Sequence, residues 1–163
     1  MSAPRPTVDV AGQTLGGGEL FLIAGPCVLE TRELAFSVAG RLVEICAARG
    51  IPLIFKSSFD KANRSSGKAV RGPGIDGLAW LAEVRERFHV PVLTDVHESG
   101  QCARAAEYVD VLQIPAFLCR QTDLIVAAVR TGRIVNLKKG QFLSPQETGQ
   151  VVQKAAAAGG QRM

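Results

Sequence analysis

Five short apolar runs, interleaved with longer amphipathic stretches, constrain this chain more than any other feature: Leu20–Ala24, Pro52–Phe55, Val90–Leu93, Val109–Leu112 and Arg133–Leu137. Most are continuous rather than alternating, the pattern of strands buried on both faces of a parallel sheet. The stretches between them read as helices. Thr31 is a predicted N-cap for a helix with Leu34, Val38, Leu42 and Ile45 on its inner face and Gly50 as its stop. Further helices are predicted over about Asp76–Phe88, Ser99–Glu107, Gln121–Arg130 and Ser144–Ala158. Strands alternating with helices imply an α/β protein built of βα units. Residues 1–18 lie outside the alternation and read as an N-terminal extension. In it, Val8-Asp9-Val10 and Gln13-Thr14-Leu15 flank Ala11-Gly12 as a small hairpin, and Gly16-Gly17-Gly18 is the join. Residues 1–163 are expected to form a single domain.

Nearly every apolar run exits into polar groups: Gly25-Pro26-Cys27, Lys56-Ser57-Ser58, Thr94-Asp95-Val96-His97, Gln113 and Lys138-Lys139. A TIM (β/α)₈ barrel draws its site from the C-terminal ends of several strands, which matches this distribution. A doubly wound sheet would concentrate its contacts at one switch point and often shows a glycine fingerprint. Neither GxGxxG nor GxxxxGK[ST] occurs. About five βα units are readable against the eight of a closed barrel, so the expectation is a partial barrel with open sheet edges.

Composition narrows the function classes. At 163 residues and 47% hydrophobic, the chain has material for one core. No apolar run nears the roughly 20 residues that span a bilayer, and Met1–Pro6 lacks the apolar centre of a signal peptide. A cytoplasmic protein with no membrane partner is expected. The net charge of +4 comes with only 6% aromatics and no long basic run, which argues against nucleic acid. Cys27, Cys46, Cys102 and Cys119 follow no CxxC spacing, as expected of free thiols in a reducing compartment. Cys46, Cys102 and Cys119 read as small buried hydrophobes.

The cations gather most densely in Phe55-Lys56-Ser57-Ser58-Phe59-Asp60-Lys61-Ala62-Asn63-Arg64-Ser65-Ser66. Arg offers phosphate a planar fork of donors, Lys a point charge, and Ser and Asn neutral donors that orient a sugar. A solvated surface loop is the plain alternative. The buried-strand reading of Leu53-Ile54-Phe55 favours a site, because a loop on a rigid strand can position ligand contacts. Asp95 is a candidate carboxylate at a strand end. His97, two residues on, is either a base or a structural group bonded to its own loop or to Glu98.

These segments, with Arg71-Gly72-Pro73-Gly74, Thr94–Glu98, Gln113–Leu118, Arg120–Leu124 and Asn136–Phe142, closely resemble 3-deoxy-D-manno-octulosonate 8-phosphate synthases from about Leu20 to the last residue. The resemblance implies a (β/α)₈ barrel, usually a homotetramer. The implied reaction condenses phosphoenolpyruvate with arabinose 5-phosphate and releases phosphate, in lipopolysaccharide inner-core biosynthesis. It further implies that Lys56, Ser58, Lys61, Gln113 and Lys138 line the phosphoenolpyruvate region, that Asn63, Arg64 and Ser65 bind the pentose phosphate, and that Arg120 reaches a neighbouring subunit's site. Lys61 and Asp95 are the candidate catalytic residues, Lys61 as proton donor to the aldehyde oxygen. Cys27, in the Gly-Pro-Cys segment, implies the metal-dependent class and a divalent transition metal such as Zn, Fe or Mn. The resemblance places the remaining ligands, a His, a Glu and an Asp, on later strands that this sequence lacks. Two rivals stand beside this reading. One is the related 3-deoxy-arabino-heptulosonate 7-phosphate synthase, disfavoured because Lys61-Ala62-Asn63-Arg64-Ser65 differs from its KPRTS-like segment; the other is an inactive truncated fragment.

Overall fold

The computed structural model describes residues 5–160 and Met163. Most of the Met1–Pro6 segment weighed above as a leader, and the opening of the extension, therefore lie outside the described residues. The chain divides into two compact units, Met1–Leu93 and Thr94–Met163.

The first unit opens on the expected hairpin, β1 (Thr7–Val10) and β2 (Gln13–Gly16), antiparallel with Val8 opposite Leu15 and Val10 opposite Gln13. Ala11 and Gly12 both take positive φ, 50° and 82°, the conformation a tight two-residue turn requires. Asp9 stabilises the turn by accepting the Gly12 N–H at 3.1 Å. Next come β3 (Leu22–Ala24), α1 (Arg32–Ala47), β4 (Leu53–Lys56), a 3₁₀ turn (Gly74–Gly77), α2 (Leu78–Phe88) and the start of β5 (Val92–Asp95). Both β3/β4 and β4/β5 pair in parallel, with Phe55 opposite Val92.

Helix α1 begins and ends as its sequence predicts. The Thr31 hydroxyl accepts the Leu34 N–H at 3.1 Å, and Gly50 at φ 63° lets the Ile51 N–H close on the Cys46 carbonyl at 3.0 Å. Its buried face differs from expectation. Ala35, Ala39 and Cys46 are the buried residues, whereas Leu34 is 39% exposed and Val38, Leu42 and Ile45 are only half-buried. The neighbouring helix α2 also comes close at Gly40, where a Cβ would meet the Phe88 ring at 3.3 Å. The seam between α1 and α2 is completed by the edge-on Phe36–Phe88 pair, by Arg87 over the Phe36 ring and by the Arg32–Glu83 ion pair. A second departure concerns β3. Leu22 and Ile23 are 36% and 38% exposed rather than buried on both faces, because β3 ends the strand order and has a partner on one side only.

The second unit holds the end of β5, α3 (Ser99–Ala106), β6 (Val111–Ile114), a 3₁₀ turn (Ala116–Leu118), α4 (Thr122–Arg130), β7 (Ile134–Leu137) and α5 (Pro145–Ala157). All of β6 is buried, and it pairs in parallel with β7, Gln113 opposite Asn136. Helix α5 starts on a reciprocal cap: Ser144 Oγ accepts the Glu147 N–H at 3.1 Å while Glu147 accepts the Ser144 N–H at 2.7 Å. Those bonds lower the Glu147 pKa below its ordinary value. Each unit thus repeats the parallel βα arrangement of a partial TIM barrel. Among the described residues no helix is long and apolar enough to cross a membrane.

Candidate functional site

In the first unit the ends of β3 and β4 are locked together. A Cβ on Gly25 would fall 2.0 Å from the Lys56 carbonyl oxygen, so only glycine admits this approach. Ser57 Oγ donates to the Pro26 carbonyl at 2.8 Å, the Leu29 N–H donates to the Ser58 carbonyl at 2.9 Å, and Val28 bridges Ser58 in parallel. The Gly25-Pro26-Cys27 segment therefore lies alongside Lys56-Ser57-Ser58. Cys27 is exposed, whereas Cys46, Cys102 and Cys119 are buried as expected. Burial raises the Cys102 thiol pKa to about 11. Lys56 Nζ donates to Ser58 Oγ at 2.9 Å, and Ser58 is itself fully buried. Ser58 thus acts on Lys56, the half-buried member of the pair.

Beyond Ser58 the chain dips once, burying Phe59, and then emerges. Lys61 is half-buried, and residues 62–68, Asn63, Arg64 and Ser65 among them, are exposed. The loop is not slack. Arg64 Nε donates to the Val70 carbonyl at 3.2 Å, leaving the terminal nitrogens of its fork available to an anion. Ser66 is spent on the loop's own turn, accepting the Lys68 N–H on its hydroxyl and the Ala69 N–H on its carbonyl. Lys68 adds an exposed cation to the same loop. Its position twelve residues after Lys56 follows no local pattern, and only the fold reveals it.

In the second unit the polar ends of β5 and β6 are buried, whereas Lys138 and Lys139, after β7, are exposed. Asp95 and Gln113 are 4% and 9% exposed. Asp95 Oδ2 lies 3.2 Å from His97 Nε2, and the His97 N–H donates to Gln101 Oε1 at 2.8 Å. His97 is therefore tied to its own strand end and to the start of α3. The Gln113 side-chain oxygen accepts from Asn136 Nδ2 at 2.9 Å. Asn136, which sequence reasoning did not single out, is thus the hydrogen-bond partner of the candidate Gln113. The available signal was its period-2 spacing from Lys138, since alternate residues of a strand share a face. Lys138 is exposed, with its N–H on the Ile114 carbonyl at 3.2 Å. Arg120 is exposed, and its carbonyl accepts from Lys154 Nζ at 3.0 Å.

Cys27 is the residue the resemblance offers as a metal ligand. Among the described residues no three His, Cys, Asp or Glu side chains gather to hold a metal ion. One exposed thiol does not make a site for a divalent metal.

Residues 7–163 match the model of the DAHP synthetase I family. The chain is 58% identical over 163 residues to a protein of Rhodopseudomonas palustris (strain BisB5), covering 99% of this chain and 57% of that one. It is 55% identical over 158 residues to a protein of Trichlorobacter lovleyi, covering 96% and 58%, and 63% identical over 139 residues to one of Bordetella pertussis, covering 85% and 49%. All three are named 2-dehydro-3-deoxyphosphooctonate aldolase. The chain spans about half the length of the curated relatives it matches.

Proposed function

Because this chain belongs to the DAHP synthetase I family, we propose that it supplies the phosphoenolpyruvate and pentose-phosphate contacts of a 3-deoxy-D-manno-octulosonate 8-phosphate synthase. The observation that carries the proposal is the exposed loop bearing Lys61, Asn63, Arg64 and Ser65, mounted directly on a buried strand end that holds Lys56. In the reaction a carbon–carbon bond forms between the methylene carbon of phosphoenolpyruvate and the aldehyde carbon of arabinose 5-phosphate. Water adds at the adjacent enolpyruvate carbon, and inorganic phosphate leaves. The substrates bring a carboxylate and two phosphates, so cations must bind them and offset negative charge on the reacting oxygens.

Each residue has a part in this reading. Lys56, positioned by Ser58, and Lys138 meet the anionic groups of phosphoenolpyruvate, and Gln113, oriented by Asn136, fixes its carboxylate. Arg64, Asn63 and Ser65 hold the sugar phosphate, with Arg64 presenting its fork. Lys61, at the root of that loop, donates a proton to the aldehyde oxygen as it becomes a hydroxyl. Asp95 orients a cationic side chain or a water, and Arg120 serves a neighbouring subunit in an oligomer. Cys27 offers one soft donor toward a Zn, Fe or Mn ion, and no step above runs through a metal.

Calorimetric titration with arabinose 5-phosphate and with erythrose 4-phosphate tests the assignment. The expected result is preferential binding of the pentose phosphate, lost on Arg64→Ala. Equal or tighter binding of the tetrose phosphate would overturn it in favour of heptulosonate chemistry.

A further inference from the structure

The cationic loop is closed at its neck by a pair of side chains that its ligand chemistry does not require. Phe59 is buried, and its carbonyl accepts the Gly74 N–H at 3.0 Å; two residues on, the Lys61 N–H donates to the Arg71 carbonyl at 2.7 Å. Between these two rungs Asp60 receives both ends of the Arg71 fork, Nε to Oδ1 at 2.9 Å and Nη2 to Oδ2 at 2.6 Å. The Asp60 side chain is 17% exposed and that of Arg71 63%. Gly72 turns the chain back at φ 107°, where a Cβ would stand 2.6 Å from the Phe59 carbonyl oxygen. Everything the loop offers a ligand lies on the far side of this neck.

An isolated exposed ion pair contributes little, but this one differs in geometry. It is bidentate, it bridges the two passes of chain at the neck, and it sits between the two backbone hydrogen bonds that already join them. Two parallel N–H···O bonds fix angle as well as distance. The side chain that follows Asp60 is Lys61, and Arg64 is in turn tied to Val70, the residue before Arg71. A shift at the neck would therefore move both cations together. The pair also spends the charge of Arg71 on Asp60, so that Lys61, Arg64 and Lys68 carry the loop's net positive charge.

We propose that Asp60 and Arg71 form a positioning clamp, setting where Lys61 and Arg64 meet the phosphorylated sugar without touching it themselves. The proposal rests on the reading of this loop as the pentose-phosphate cradle. A clamp raises affinity by holding the loop in its binding geometry beforehand, so that less order has to be imposed when the ligand arrives.

Hydrogen exchange of residues 62–70 in the ligand-free protein, with calorimetric titration of arabinose 5-phosphate, tests it on the unaltered chain, Arg71→Ala, Arg71→Lys and the paired swap Asp60→Arg with Arg71→Asp. Arg71→Ala is expected to speed exchange in 62–70 while leaving β4 protected, and to weaken binding about tenfold. Arg71→Lys, which keeps the charge but loses the fork, should fall between, and the swap should restore much of both. Weakened binding with unchanged exchange would mean that Arg71 contacts the ligand directly, and it overturns the clamp. Exchange speeded equally in β4 would mean a general structural role and overturns it too. If the unaltered chain binds no arabinose 5-phosphate, the cradle reading itself fails, a result independent of how Arg71→Ala alters exchange.

Discussion

The polar groups of the two units are held in opposite ways. In the first unit they ride on an exposed loop whose backbone bonds close on themselves, with Lys61 at the neck itself and Arg64 a few residues beyond it. In the second, the groups at the ends of β5 and β6 are buried against a partner, Gln113 on Asn136 and Asp95 on His97, while Lys138 and Arg120 stay exposed. A loop of cations remains hydrated until a ligand arrives, which suits the binding of a bulky anion. A buried amide or carboxylate has already given up its water and is fixed by its partners, which suits orientation. Substitutions in the first unit should therefore divide into those that break the platform and those that merely silence the loop. At the buried strand ends of the second unit, Asp95 and Gln113, stability and site should fail together.

The largest effect is expected where the platform is tightest. Gly25→Ala would drive a methyl group into the Lys56 carbonyl and should cost about 3–5 kcal/mol, in the range of severe steric substitutions. Denaturant titration would show it, and a loss under 1 kcal/mol would mean the β3 and β4 ends are not locked. Arg64→Ala sharpens the contrast from the other side. It should leave the denaturation midpoint unchanged while weakening arabinose 5-phosphate binding by about 2 kcal/mol, the worth of a charged hydrogen-bonding group.

Asn136→Ala probes the second unit, where stability and orientation coincide. Removing the donor to Gln113 should cost about 1–2 kcal/mol of stability, because a buried amide loses its partner, and should weaken phosphoenolpyruvate binding in parallel. An effect on binding alone would break the comparison. Ser144→Ala, at the start of α5, should cost about 1 kcal/mol, as a lost N-cap does, with no effect on either substrate.

A smaller pH effect follows from the same cap. The Glu147 pKa is lower folded than unfolded, so its contribution is complete above the unfolded value and fades as pH falls through the folded one. Glu147→Gln should flatten that acid-side slope.

Local chemistry made much of the fold legible. Thr31, Gly50 and Ser144 mark helix ends through bonds made within a few residues, and the structure places them in those roles. The runs around Leu53–Phe55 and Val111–Ile114 are buried strands because continuous apolar sequence has no polar face to show. Burial that depends on a neighbour was not legible. Leu34, the largest apolar residue in the first turn of α1, stays exposed while Ala35 and Ala39 are buried, since tertiary packing and not residue type alone decides which side of the helix is covered. Leu22 and Ile23 are exposed through strand order, which no single run encodes. The same limit governs the site. The cations of the loop stood out by composition, but Asp60 with Arg71 and Gln113 with Asn136 are partners only once a neck closes or two strands come into register.

The loop from Lys61 to Val70 is proposed as a cradle for a pentose phosphate. Hydrogen exchange across that segment with and without arabinose 5-phosphate tests it most directly. Exchange at residues 61–70 should slow on adding the sugar phosphate, with no such slowing with unphosphorylated arabinose, and the effect should be lost in Arg64→Ala. Unchanged exchange in the loop at concentrations where calorimetry shows the sugar phosphate bound would place its site elsewhere and contradict the account.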